Sequence, residues 1–119
     1  MKVSHCVRTI ATLGLAVIAL TGAAGGRPAR AQEAASISIG YADRHFEPAD
    51  AEAPADRPLV LHVRNSAAKA IEFESKSLHV EKVVAPGTEV VINVRPQKPG
   101  RYEFFNDFDH EVRGALVVR

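Results

Sequence analysis

The alternation in Leu59–Asn65 constrains this chain most. Leu59, Leu61 and Val63 fall on one face of an extended segment, with Val60, His62 and Arg64 on the other. A period of two over seven residues excludes a helix there, and the same signal recurs downstream. In residues 70–75, Ile71, Phe73 and Ser75 alternate with Glu72 and Glu74. In residues 89–94, Val90, Ile92 and Val94 alternate with Val91 and Asn93. Upstream, residues 36–41 alternate in the same way, and Phe46 is expected in the core.

Turn signals separate these segments: Lys76-Ser77, Pro86-Gly87 and Pro99-Gly100. Residues 50–58 contain Pro54 and Pro58 and read as an irregular connection with a short edge strand at most. Residues 78–84 read as extended, and Tyr102 to Phe105 as an aromatic strand. A polar loop is then expected before a last strand over residues 115–118. Short strands at regular spacing, without helical periodicity, predict an all-β fold, specifically an antiparallel sandwich of seven or eight strands. Tyr102, at a strand start after Gly100, is expected to lock a corner by bonding back to the backbone.

The first 31 residues read differently. Lys2 and Arg8 precede an apolar run over residues 10–24, and Ala29-Arg30-Ala31 offers a small-residue cleavage site. These are the three parts of a secretory signal peptide. The run of 15 residues falls short of the ~20 that a spanning helix needs. The expectation is therefore a signal at 1–31, one domain at 32–119, a periplasmic or secreted location and no stable membrane insertion after cleavage.

That division changes the charge. The segment 32–119 carries 11 Lys and Arg against 14 Asp and Glu, a net charge of −3, although the whole chain sums to +1. No basic face appears, so a nucleic-acid partner is not expected. The single Cys, Cys6, and the single Met, Met1, both fall in the signal. Thiolate nucleophiles, disulfides, zinc–cysteine sites and thioether ligands are excluded from residues 32–119. No serine–histidine–acid order, phosphate-cradling loop or zinc-protease motif is found either.

Two stretches gather metal-ligating groups. Glu72 and Glu74 are two apart on a strand, so both carboxylates leave one face. They fit either a solvated strand face or a shared cation, and their proximity favours a cation or a raised pKa on one of them. Asp107, Asp109, His110 and Glu111 crowd the loop near the end. An imidazole among carboxylates suits Cu(II), and carboxylates also suit iron; an ion-paired loop histidine is the plainer alternative. His79 with Glu81 forms a weaker candidate pair. His45 and His62 read as surface residues.

From Leu59 onward the punctuation resembles the cupredoxin family. The likeness is carried by Leu61-His62-Val63-Arg64-Asn65, Glu72-Phe73-Glu74-Ser75, Ala85-Pro86-Gly87, Lys98-Pro99-Gly100-Arg101-Tyr102-Glu103-Phe104 and Arg113-Gly114-Ala115-Leu116-Val117-Val118. Phe46-Glu47-Pro48 is similar to the family's second-strand start. The resemblance implies a cupredoxin-like Greek-key sandwich.

It also implies where a blue-copper site would lie. The thiolate position falls on Asn106, the thioether position near Val112 and the upstream imidazole near Ile71 or Glu72, while His110 is one residue from its expected place. Without a thiolate, a blue-copper carrier is not expected.

The Glu-Phe-Glu-Ser run is similar to the EfeO-type periplasmic branch that accompanies bacterial iron permeases. That resemblance implies Cu(II) or iron held by Glu72, Glu74, Asp107, Asp109, His110 and Glu111, and a part in oxidising or delivering iron to an inner-membrane permease. Enzyme activity is left open, between a ferroxidase-type accessory and a non-enzymatic carrier. The competing expectation is a metal-free adaptor that docks on a periplasmic or permease protein.

Overall fold

The computed structural model describes residues 32–119 and, upstream of them, Gly22, Gly25 and Gly26. The expected signal peptide and its cleavage site lie outside the described residues. Among the described residues, no helix is long and apolar enough to cross a membrane.

Nine strands follow one another: β1 Ala35–Ala42, β2 His45–Glu47, β3 Asp50–Ala53, β4 Leu59–Asn65, β5 Ile71–Ser75, β6 Val80–Val84, β7 Glu89–Val94, β8 Gly100–Asn106 and β9 Asp109–Val118. They form two sheets, ordered β2-β1-β4-β7 and β3-β9-β8-β5-β6. The all-β sandwich expected from the alternation is present, with two differences. The count exceeds seven or eight, because the short segments β2 and β3 each pair as strands. The sheets are also mixed, since β1 runs parallel to β4 and β3 parallel to β9. Alternation reports which face is buried and carries no information on strand direction, so the parallel pairs left no mark on the sequence.

The odd-numbered residues of β4 and β5 meet between the sheets. Leu61, Val63 and Phe73 are fully buried, and Ile71 is 1% exposed. Phe46, Phe73 and Phe104 form an aromatic centre, with ring centroids 5.0 Å apart for Phe46–Phe104 and 4.9 Å for Phe73–Phe104. Such pairs contribute about 1 kcal/mol each beyond area burial. Tyr102 locks its corner, its hydroxyl donating to the Lys98 carbonyl at 2.8 Å. Asn65 closes the turn after β4: its amide nitrogen donates to the carbonyls of Lys69 (2.7 Å) and Val84 (3.0 Å), and its oxygen accepts from the Ala67 N–H at 2.9 Å.

Two local expectations change. The turn expected at Lys76-Ser77 continues through Leu78 and His79, which were expected to extend; His79 has a φ of 55°, so it does not alternate with Leu78 and Val80. The polar loop before the last strand shrinks to a turn at Asp107 and Phe108, with β9 beginning at Asp109. Pairing steps from Asn106↔Asp109 to Phe105↔Arg113, which leaves His110, Glu111 and Val112 opposite the step. An irregularity of this kind re-aims side chains. Here it turns Val112 into the core (5% exposed) while His110 and Glu111 stay outside.

Candidate metal centre

β5 carries core residues on one face and carboxylates on the other. With Ile71, Phe73 and Ser75 turned inward, Glu72 and Glu74 emerge together on the outer face of the five-stranded sheet, each half-buried. The β8–β9 turn is fastened beside them. The Asp107 N–H donates to the Glu72 carbonyl at 2.8 Å. The Asn106 side-chain oxygen accepts from the N–H of Glu72 at 3.0 Å and of Phe108 at 3.1 Å. This lacing fixes Asp107 against the start of β5.

One carboxylate oxygen from each of Glu72, Glu74 and Asp107 lies within 4.8 Å of the others. His110 joins from β9, its Nε2 2.9 Å from Asp107 Oδ1. Its ring meets Phe105 edge-on, with centroids 5.7 Å apart. Among the described residues, Glu72, Glu74 and Glu81 form no ion pair with Lys or Arg.

Glu81 completes the acidic group. It stands opposite Glu74 across β5 and β6. Its hydrogen bond with Glu72 is the main reason that the Glu72 pKa is raised; partial burial and the charges of Glu81, Asp107 and Glu74 act in the same direction. The sequence coupled Glu81 to His79, whereas cross-strand register couples it to Glu72 and Glu74. Once β5 and β6 are recognised as a hairpin, the pairing of residues 74 and 81 gives this neighbour.

Asp109 and Glu111 are not brought to this group. The β1–β2 turn places Asp43 and Arg44 at φ of 47° and 58°, as a tight hairpin turn requires. It aims Arg44 at the start of β9, where the guanidinium lies 2.7 Å from Asp109 and 3.4 Å from Glu111. Asp109 thus lines a different hollow, beside Tyr41 and Phe108. His62 pairs with Glu89 at 3.1 Å on the other sheet, and His45 approaches its own turn. His79 borders a shallow hollow with Glu74 and Glu81.

A family model described as the cupredoxin-like domain matches residues 10–118. The chain belongs to the cupredoxin-like domain family. An uncharacterized protein of Rickettsia prowazekii is 34% identical over 82 residues, which cover 69% of this chain and 66% of that protein, just under two thirds of its length. Among solved structures, the metal-binding domain of the Cu(I)-exporting P-type ATPase of Streptococcus pneumoniae D39 superposes with a TM-score of 0.64 at 20% identity, over 71% of this chain and 84% of that one. Auracyanin A, a blue copper protein of Chloroflexus aurantiacus, gives a TM-score of 0.60 at 11% identity, over 73% of this chain and all of its own. At such identities these two show the shared fold.

Copper is the metal that this fold implies, and the residues at the expected blue-copper positions do not fit that centre. Asn106 is 3% exposed, with its amide committed to the backbone N–H groups of Glu72 and Phe108. Ile71 (1% exposed) and Val112 (5%) supply only hydrocarbon. Asp109 is held by Arg44. In this cupredoxin-like chain the candidate donors gather elsewhere, beside the outer face of β5, and they are oxygens with one imidazole rather than sulfur.

Proposed function

We propose that this protein is an exported metal-binding member of the cupredoxin-like family. It holds Cu(II) or iron through Glu72, Glu74 and Asp107, with His110 as the nitrogen donor. The observation that carries this reading is the approach of three half-buried carboxylates to within 4.8 Å, none of them in an ion pair with Lys or Arg among the described residues. Like charges so placed repel unless a proton or a cation lies between them, and hard oxygen donors with an imidazole suit Cu(II) and iron. The task that follows is oxidising iron or delivering it to an inner-membrane permease. The resemblance of Glu72-Phe73-Glu74-Ser75 to the EfeO-type branch supports that assignment.

A second reading, a metal-free adaptor for a periplasmic protein, is favoured by one feature. Asn106, Ile71 and Val112 fill the blue-copper positions with a hydrogen-bonded amide and hydrocarbon.

Titration of the metal-stripped protein with Cu(II), followed by electron paramagnetic resonance, separates the two. A saturable tetragonal signal with nitrogen and oxygen donors and no intense blue colour supports the metal reading. Binding of copper and both iron states no tighter than to an unrelated acidic protein would overturn it. Steady Fe(II) consumption by the copper-loaded protein would identify a ferroxidase rather than a carrier.

A further inference from the structure

A hollow of about 490 Å³ opens on the outer face of the five-stranded sheet, next to the carboxylate group. Its floor is the half-buried ring of Phe105. Asp107 and His110, which also belong to the proposed metal group, line it. So do Lys76 and Arg113, whose charged ends lie 6.0 and 5.5 Å from the Phe105 ring centre. Neither cation forms an ion pair among the described residues, whereas Arg44, Lys98, Arg101 and Arg119 each hold a carboxylate at 2.7 to 2.9 Å. Arg101, paired with Asp50, and Glu103 complete the lining.

The hollow therefore gathers groups of opposite demand around one aromatic ring. A bare cation would satisfy Asp107 and His110 and leave Lys76 and Arg113 without a counter-charge. A free carboxylate would do the reverse and meet the repulsion of Asp107 and Glu103. A metal ion already chelated by a small polycarboxylate answers both, with the metal toward Asp107 and His110 and a free carboxylate toward the two cations. Guanidinium and ammonium groups bind carboxylates through charge-assisted hydrogen bonds. The volume also falls within the range of small-molecule sites.

We propose that the hollow over Phe105 binds a small polycarboxylate chelator together with its metal, so that the protein takes the cation as an anionic chelate. This inference rests on the metal reading above.

Equilibrium dialysis of radiolabelled citrate against the purified protein, with and without Cu(II), tests it. Citrate retention is expected to rise at least tenfold when Cu(II) is present. The double variant Lys76→Gln with Arg113→Gln should cut that retention at least tenfold. The variant Arg64→Gln with Arg95→Gln, which loses the same charge from the opposite sheet, should retain citrate like the wild type. Circular dichroism checks that each variant is folded. If Cu(II) alone binds but citrate is not retained, or if the Lys76/Arg113 variant retains it fully, the chelate inference is wrong and the metal reading stands. Equal retention without Cu(II) also overturns the chelate inference. If neither Cu(II) nor citrate binds, the metal reading fails and this inference fails with it.

Discussion

Glu74 and Glu81 face each other directly across β5 and β6. Opposed like charges destabilise a strand pair, and here Glu72 draws close to the same Glu81 through a hydrogen bond that requires a proton on one of the two. Folding therefore favours the protonated form of Glu72.

That linkage sets a pH dependence for the metal-free protein. Because the Glu72 pKa is raised in the folded state above the ordinary value of 4.5, folding takes up protons in the window just above 4.5. Stability from this group is full below that window and falls as pH rises through it. The Glu81→Gln variant should flatten that part of the profile and raise the melting temperature at pH 7 by about 2 °C. Thermal melts of wild type and variant from pH 4 to 7 measure the difference, and identical profiles would contradict the coupling. A bound cation competes with the same proton, so the stabilisation conferred by Cu(II) should grow with pH across this window.

Ligand assignment divides the six acidic and imidazole residues into two sets. Glu72→Gln, Glu74→Gln, Asp107→Asn and His110→Ala are each expected to weaken Cu(II) binding about tenfold or more in calorimetry. Asp109→Asn and Glu111→Gln should leave it unchanged, since Arg44 holds both side chains away from the group. Loss of the exposed Arg44 pairs should itself have little effect on stability. An Asp109 variant as impaired as the Asp107 variant would place the site on the wrong side of the hairpin.

Asn106 has a mooring role that a smaller side chain cannot fill. Asn106→Ala removes the acceptor for the Glu72 and Phe108 N–H groups in a buried setting. Leaving such groups unsatisfied is expected to cost about 2–3 kcal/mol, and the urea midpoint should drop by about 2 M. Metal affinity should fall too, because Asp107 is positioned by the same lacing.

Gly114 tolerates no side chain. A Cβ there would come within 2.5 Å of Phe104 Cε2 and 2.7 Å of the Ala49 carbonyl oxygen. Ala49 cannot retreat easily, since its carbonyl accepts the Ala115 N–H at 2.8 Å. Gly114→Ala should destabilise the domain by about 1–3 kcal/mol, in the range of overpacked cores. Denaturant unfolding measures this, and a neutral effect would mean that β9 shifts more freely than its pairing with β3 implies.

Much of the fold was readable because the alternation in β4, β5 and β7 is strict and each strand has one buried face. Glu72 and Glu74 were readable for the same reason. The last hairpin was not. Residues 107–113 are polar because the start of β9 is exposed, and an exposed strand end has the composition of a loop. The separation of Asp109 and Glu111 from Asp107 depends on Arg44, 65 residues from Asp109 in sequence, and no local pattern announces a contact that distant. Glu81 was visible as an acid, but its neighbours depended on knowing that residues 76–79 turn.

β5 separates two inheritances along a single strand. Its odd positions answer to the core and cannot change without loss of the fold. Its even positions meet solvent, each other, the neighbouring Glu81 and Asp107, and whatever binds there. Substitutions at Glu72 and Glu74 can therefore be sampled freely, one donor at a time, while Phe73 between them keeps the scaffold intact. A domain without sulfur ligands keeps a second surface on the same strand, where metal chemistry can be assembled without disturbing the core.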